Sequence, residues 1–295
     1  MTDPKLLASL AAVPIEDPID PDTLETVLSR PPFVILPGSL NIRDVGAYAP
    51  GYIKPSLIYR SGTLDFIPEA SSSLLRSQLG VSTVFDFRRR DEVKRRLCDV
   101  DGIQVVSCPF QDGQVDNVDV DLAAFVPRDG EVVSKGYRDM YNVILEGYTT
   151  GYRKVFEALK SADRNHAVLF HCMGGKDRTG VMSALVLDLM GAPVPVIAEE
   201  YALTRVGTEP FRAKMLPAAI LGFAGIALED GDGGSTVQDG LKVPGVREIL
   251  GSRAEIMADF MEGLETRYGG AEGYLRERLG FGEDDVRQIR GNLRP

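Results

Sequence analysis

Ten residues at 171–180, HCMGGKDRTG, place one of the chain's three cysteines beside one of its two histidines at a glycine-rich turn. Successive backbone N–H groups in a tight turn, followed by a helix N-terminus, point at one spot and favour an anion there. Gly174 and Gly175 let the backbone curl closely, since neither carries a Cβ. Arg178 can grip two oxygens of a tetrahedral anion with its planar fork. The stretch therefore predicts a phosphate-binding loop.

Cys172 has the surroundings of a nucleophile. Lys176, Arg178 and the following helix N-terminus favour its thiolate form, which can attack phosphorus. We expect Thr179 to donate its hydroxyl to the departing sulfur, and His171 to orient the loop, because a thiolate needs no base. A buried structural cysteine is the competing interpretation, but the density of matching residues argues against it. The expected phosphate-binding residues are Met173, Gly174, Gly175, Lys176, Thr179 and Gly180.

The elements that must position this loop follow an alternating rhythm. Short apolar runs separated by helical stretches are typical of an α/β fold, with a central sheet of mostly parallel, buried strands flanked by helices. Residues 179–191, TGVMSALVLDLMG, predict a central buried helix that begins where the loop ends. Upstream, Tyr137, Tyr141 and Ile144 recur at helical spacing and are interpreted as core packing. The predicted strands are 57–60, 82–87, 103–108 and 167–172.

Proline, glycine and acidic residues punctuate the chain and suggest its organisation. Residues 1–32 predict an N-terminal wrap, and 33–295 a single domain that contains the phosphate-binding loop. Within that domain, 208–226 predicts an apolar helix and GDGGSTVQDG at 231–240 a flexible acidic loop. We therefore expect 208–240 to form a lid or insertion over the site.

The composition argues against several functions. A net charge of -10 over 295 residues disfavours nucleic-acid binding, so an anionic ligand must meet a local basic pocket. No segment is long enough to span a bilayer, which predicts no stable membrane insertion. The three cysteines suit a reducing compartment and a cytoplasmic protein. Because the sequence has no HExxH, no paired CxxC and no His-rich cluster, we expect no protein-built metal site, and we expect no other cofactor.

One basic cluster stands out in this acidic chain. The run RRR at 88–90 is followed by Lys94, Arg95 and Arg96. Two interpretations stay open: a solvated helix face, or a rim that guides an anionic substrate toward the loop.

The loop HCxxGKDRTG resembles that of the bacterial and fungal tyrosine-phosphatase-like family. A C-terminal segment, RYGGAEGYLRERLG, is also similar, so the resemblance runs over most of the chain from about residue 33. Two departures are Ala47, in place of a usual second glycine, and Gly174, where alanine is common. Three further blocks agree in order with the family's NxRDxGGY, YRSG and DLRxxxE: NIRDVGAY (41–48), IYRSGTL (58–64) and VFDFRRRDEV (84–93).

The resemblance implies metal-free hydrolysis of phosphomonoesters through a phosphocysteine. Its implied substrates are phosphotyrosine-type proteins and phosphoinositides. Cys172 matches the nucleophile and Arg178 the phosphate clamp, while Lys176 and Asp177 match an unusual pair in the family's loop. Lys176 suits highly charged phosphates such as inositol head groups, with a solvated side chain as the alternative.

Three aspartates compete to protonate the leaving oxygen. Asp177 lies within the loop, where it is alternatively a helix N-terminal charge or an orienter of Arg178. Asp86 ends a predicted strand and is alternatively paired with a neighbouring arginine. Asp112, in CPFQDG, resembles a movable acid loop. We rank them in the order Asp177, Asp86, Asp112.

Rival functions also remain. The enzyme could act on a small-molecule phosphate such as an inositol phosphate or prenyl phosphate, or the chain could be a catalytically weak module that binds phosphorylated ligands. Sulfur or arsenate redox chemistry at Cys172 would need a nearby resolving thiol. We interpret Cys98 and Cys108 as unpaired buried thiols rather than as partners that shield Cys172.

Overall fold

A computed structural model describes residues 2–95, 100–111, 121–227 and 236–295. Asp112, Cys98 and Arg96 lie outside these ranges, as do residues 228–235 of the predicted lid. Within the described ranges, no helix is long and apolar enough to cross a lipid bilayer.

The described residues form a central five-stranded sheet. Its strands are β1 (Arg43–Asp44), β2 (Ile58–Ser61), β3 (Val81–Asp86), β4 (Gln104–Ser107) and β5 (Ala167–His171). They lie in the order β1-β2-β5-β3-β4, with β1 antiparallel to β2 and the other neighbours parallel. The α/β class and the four apolar strands are thus confirmed, whereas the sequence does not predict the two-residue β1.

Helices cover both faces of this sheet. The predicted central helix is confirmed as α8, although it begins at Asp177 rather than Thr179. Short 3₁₀ helices lie at Arg90–Glu92, Leu122–Phe125 and Glu209–Phe211. The α-helices are α1 (Pro4–Ala11), α2 (Pro21–Leu28), α3 (Val45–Tyr48), α4 (Glu69–Ser72), α5 (Leu74–Ser77), α6 (Lys135–Gly147), α7 (Thr149–Leu159), α8 (Asp177–Leu189), α9 (Val194–Ala202), α10 (Thr204–Thr208), α11 (Arg212–Ala224), α12 (Val237–Leu241), α13 (Val246–Leu250), α14 (Ala254–Tyr268), α15 (Ala271–Glu277) and α16 (Glu283–Leu293).

Alternate side chains of β5 enter two different apolar clusters. Val168 and Phe170 pack into the large cluster that contains α8, and Ala167 and Leu169 pack into a smaller cluster on the other face. A parallel sheet with helices on both faces needs apolar residues at consecutive positions, which is why β5 reads as an unbroken apolar run. Burial on both sides fixes the strand that delivers Cys172.

Helices α11–α13 form a small apolar cluster of their own, built on Ile220, Leu241 and Val246. The prediction of a loop over 231–240 is wrong for the last residues of that segment, because α12 begins at Val237. Thr236 Oγ1 accepts the Asp239 N–H at 3.2 Å, and Asp239 Oδ2 accepts the Thr236 N–H at 3.1 Å. This reciprocal cap satisfies N–H groups at the helix start and explains why a short helix forms there.

Candidate active site

The 172–178 loop joins the buried end of β5 to the start of α8. Cys172 follows β5 directly and is 2% exposed. Lys176 is the residue that precedes α8, and Asp177 is the first residue of that helix. The predicted order of strand, tight loop and helix N-terminus is therefore present around the cysteine.

Two glycines of the loop meet different surroundings. Gly175 has a φ of +67°, and a Cβ there would lie 2.6 Å from the Ser61 carbonyl oxygen. Glycine is required at this position on both grounds. At Gly174 a Cβ would contact only Met215 Cε, at 3.9 Å, so the alanine common in the resembled family would fit.

Arg178 reaches from the first turn of α8 to the 3₁₀ helix Arg90–Glu92. Its Nη1 donates to Glu92 Oε2 at 2.5 Å and to the Phe87 carbonyl oxygen at 3.1 Å, and its Nη2 donates to Glu92 Oε1 at 2.9 Å. Tyr148 also forms a side-chain hydrogen bond with Arg178, so Glu92, Phe87 and Tyr148 share the five N–H groups of this guanidinium with any phosphate bound in the loop. Burial opposes the charge, but Cys172 and Glu92 raise the pKa of Arg178 well above its ordinary value.

Lys176 and Asp177 form an ion pair, with Nζ 2.7 Å from Oδ1. Lys176 also lies 5.1 Å from the Tyr137 ring centre and is 14% exposed, so it is not a solvated side chain. The Tyr141 hydroxyl lies 3.1 Å from Asp177 Oδ1 and 2.7 Å from the Tyr201 hydroxyl. Burial works against the charge of Lys176, but Asp177 and Tyr137 raise its pKa well above the ordinary value.

Asp86 is bound tightly to Arg88. The Arg88 Nε and Nη2 donate to Asp86 Oδ1 and Oδ2 at 2.9 and 2.7 Å. Burial opposes the charge, but His171 and the Arg88 guanidinium hold the pKa of Asp86 below its ordinary value. His171 lies behind the nucleophile, with Nε2 3.7 Å from Asp86 Oδ1 and Nδ1 3.3 Å from the Cys172 carbonyl oxygen. Burial lowers the pKa of His171, which suits a neutral orienting group.

The first turn of α8 carries two further predicted site residues. Thr179 is fully buried, and its Oγ1 has no hydrogen-bond partner among the described residues. Its predicted donation to the departing Cys172 sulfur stays a prediction, for which this hydroxyl has no competing partner among the described residues. Gly180 faces the other way, since a Cβ there would lie 2.9 Å from the Tyr201 ring.

The remaining cysteine in the described ranges is Cys108, which follows β4. It is free and buried, as predicted, and burial raises its pKa to about 11. A thiol with so high a pKa is a poor nucleophile at neutral pH.

A cleft of about 920 Å³ opens above the loop. Cys172, Arg178 and Asp177 line it, whereas Asp86 is not among the described residues that do. Helices α6 and α11 supply apolar walls to this cleft. The apolar side chains on these two helices are Met140, Val143, Ile144, Met215, Leu216, Ala219 and Phe223.

The basic cluster at 88–90 divides between the interior and the cleft. Arg88 is 2% exposed and ion-paired with Asp86 and Asp65, so neither a solvated face nor a rim describes it. Arg89 lines the cleft and is 38% exposed, which fits the predicted rim.

Comparison with known proteins identifies the family to which these features belong. Residues 34–295 match the model of the tyrosine phosphatase family. The chain belongs to that family. The phosphatase is 29% identical over 289 residues to the triple specificity protein phosphatase PtpB of Mycobacterium tuberculosis, covering 88% of this chain and 98% of PtpB.

Two further matches are less extensive. A tyrosine-protein phosphatase of Nostoc commune is 33% identical over 146 residues, or 48% of this chain and 44% of that protein. Among solved structures, the Siw14 catalytic core covers 61% of this chain and 86% of its own, with 16% identity and a TM-score of 0.34. Family membership and the PtpB match confirm the predicted cysteine-dependent phosphatase.

Sequence reasoning missed two groups that touch the predicted site residues. Glu92 is the glutamate of the DLRxxxE-like block, which was recognised without being given a function. Tyr137 and Tyr141 are buried, as predicted, but their hydroxyls also reach Lys176 and Asp177. The helical spacing of apolar residues indicates which face of a helix is buried, but it does not indicate what the hydroxyl of a buried tyrosine contacts.

Proposed function

We propose that this phosphatase uses Cys172 to hydrolyse phosphotyrosine-type proteins, phosphoinositides, or both. The observation that supports this substrate class is a nucleophile only 2% exposed at the floor of a cleft of about 920 Å³. A sulfur so buried favours a phosphate carried on a long flat arm such as tyrosine, while the volume of the cleft admits an inositol ring. The similarity to a triple specificity protein phosphatase supports a broad range.

The reaction proceeds in two displacements at phosphorus. The Cys172 thiolate forms an S–P bond while the ester P–O bond breaks, and an acid gives its proton to the leaving oxygen. Water then attacks the phosphocysteine and the S–P bond breaks. The acid, which became a carboxylate when it gave up its proton in the first step, takes the water's proton. Arg178 donates to the non-bridging oxygens throughout.

We assign the acid to Asp177. It lines the cleft, and its Oδ1 accepts from Lys176 and faces Tyr141, which leaves Oδ2 as the oxygen that can carry a proton. Asp86 has both oxygens engaged by Arg88, a geometry that suits an anchor better than a donor. Asp112 lies outside the described residues and keeps its place as the last alternative.

Leaving-group dependence tests this assignment. Asp177→Asn should slow an alkyl phosphate by roughly 10²- to 10⁴-fold, the usual contribution of a positioned acid. An activated aryl phosphate should be affected far less, because its leaving oxygen hardly needs a proton. Equal losses on both substrates would make Asp177 an orienter of the loop, and Asp86→Asn would be measured in the same way.

A phosphate-release screen tests the substrate class. Phosphopeptides, phosphoinositides, inositol phosphates and small phosphate esters are compared by kcat/KM, with Cys172→Ser as the inactive control. We expect phosphotyrosine peptides or phosphoinositides to rank first. A small metabolite ester ranking first would replace this proposal with the metabolite phosphatase, and substrate binding without turnover in the unmutated enzyme would favour the binding module.

We also propose that the 208–240 region acts as a lid through α11. Met215 and Phe223 line the cleft from this helix, and Ile220 of α11 belongs to the small cluster with Leu241 and Val246 rather than to the main core. Hydrogen exchange in α11 should be faster than in α8 and should slow when phosphate is bound. Equal protection of both helices, unchanged by phosphate, would show a fixed wall.

A further inference from the structure

Two buried side chains hold the outer side of the 172–178 loop. Asn41 Nδ2 donates to the carbonyl oxygens of Gly174 and Gly175, at 3.2 Å each. Arg60, on β2, donates from Nη2 to the same Gly175 carbonyl oxygen at 2.7 Å. Asn41 is 2% exposed and Arg60 is fully buried. Both belong to the NIRDVGAY and IYRSGTL blocks, to which the chemistry above gives no function.

A third carbonyl is held in the same way. The Thr63 N–H donates to the Met173 carbonyl oxygen at 2.8 Å. Carbonyls of residues 173–175 therefore all point outward, toward the 41–63 segment. In a trans peptide the N–H of the next residue points opposite to the carbonyl. The N–H groups of residues 174–176 consequently point to the inner side of the loop, as anion binding requires.

Glu200, on α9, anchors the residues that make these contacts. It accepts from Arg43 Nε at 2.7 Å and from Arg60 Nη1 at 2.5 Å. Arg43 in turn donates to Asn41 Oδ1, which fixes the amide so that Nδ2 faces the loop. All three charged side chains are at most 1% exposed. The network is thus sealed from water.

This network carries a surplus positive charge. Two guanidiniums share one carboxylate, and Arg60 Nε has no hydrogen-bond partner among the described residues. A buried charge without a full counterion is costly unless another anion lies nearby. A phosphate in the loop would be that anion, on the far side of the Gly175 peptide from Arg60.

We propose that Asn41 and Arg60 are positioning residues for phosphate binding: they turn the loop carbonyls outward, and the Arg43–Arg60–Glu200 cluster adds positive charge beneath the bound anion. The inference rests on the proposed use of the 172–178 loop to bind phosphate. It applies to every substrate considered above, because it concerns the phosphate rather than the group attached to it.

Three variants test it by calorimetric binding of inorganic phosphate to the folded protein. Asn41→Asp keeps the size, the acceptor for Arg43 and tolerance of the φ of +57°, but removes both N–H donors. Arg60→Lys keeps the charge but cannot bridge Glu200 and Gly175. Arg60→Met removes both the charge and the bridge. Leu293→Ala is the control, since it destabilises the buried end of α16 away from the loop.

We expect the Kd for phosphate to rise at least about tenfold in Asn41→Asp and Arg60→Lys, and further in Arg60→Met. KM for an aryl phosphate should rise and kcat should fall in parallel. Leu293→Ala should lower the Tm and leave the Kd unchanged. If Arg60→Met does not fold, the two milder variants decide the outcome.

Binding within twofold of the unmutated protein in Asn41→Asp and Arg60→Lys would overturn the positioning function. An equal loss of binding in Leu293→Ala would also overturn it, because general destabilisation would then explain the effect. An unmutated protein that binds no phosphate would instead overturn the proposed function of the loop. The two failures are therefore distinguishable.

Discussion

Replacing Glu92 by glutamine should disable Arg178 without removing it. The carboxylate receives both Nη1 and Nη2 of Arg178, and Oε2 also accepts the Arg89 N–H at 2.7 Å. Glutamine keeps one acceptor oxygen but turns an NH₂ group toward the guanidinium. Two donors then face each other, and the edge of Arg178 that binds phosphate loses its fixed direction.

The size of the effect follows from the type of contact. A hydrogen bond to a charged group contributes about 1.5–3 kcal/mol. Arg178 and Glu92 are 15% and 14% exposed, so solvent screens the pair only modestly. Loss of one such bond predicts a kcat/KM lower by about 10- to 150-fold. Because the clamp contacts ground state and transition state alike, KM should rise and kcat should fall.

The assay is steady-state hydrolysis of an aryl phosphate, with Tm measured for each variant. Glu92→Asp retains the charge on a shorter side chain and separates charge from position: activity near that of the unmutated enzyme would assign the effect to charge alone. Glu157→Gln is the matched control, since it removes a carboxylate from an exposed pair with Arg153, and neither residue is among the described residues that line the cleft. A Glu92→Gln enzyme within twofold of the unmutated kcat/KM would refute the reasoning.

Two further predictions concern the cysteine outside the site and the loop glycines. Burial raises the pKa of Cys108 to about 11, so its contribution to stability is full below its unfolded pKa and is lost as pH rises toward 11. The free energy of unfolding should therefore fall by about 3 kcal/mol less in Cys108→Ala than in the unmutated protein between pH 8 and pH 11, as measured by urea titration. Gly174→Ala should keep activity within a few-fold, whereas Gly175→Ala should lose phosphate binding, since a Cβ there would collide with Ser61; similar kinetics in both would contradict the loop geometry.

Sequence patterns predicted the parts of this phosphatase whose residues are consecutive in the chain. The apolar run of β5, the glycine turn and the apolar helix α8 are consecutive, so their order alone places Cys172 at a helix N-terminus. The end of the 231–240 segment was misassigned because its glycines and aspartates favour turns. A single reciprocal cap at Thr236 outweighed that composition.

The partners that orient the site come from distant segments, which periodicity cannot place. Glu92 and Arg178 are 86 residues apart in sequence, and Arg60 and Glu200 are 140 apart. Nevertheless, one signal was present. Arg60 is the last residue of the predicted strand 57–60, and a charged residue in a strand buried on both faces must be paired. The sequence thus predicts a buried carboxylate near β2. Only the packing of α9 against α8 shows that Glu200 supplies this carboxylate, and that the Arg60 guanidinium binds both Glu200 and the Gly175 carbonyl of the loop.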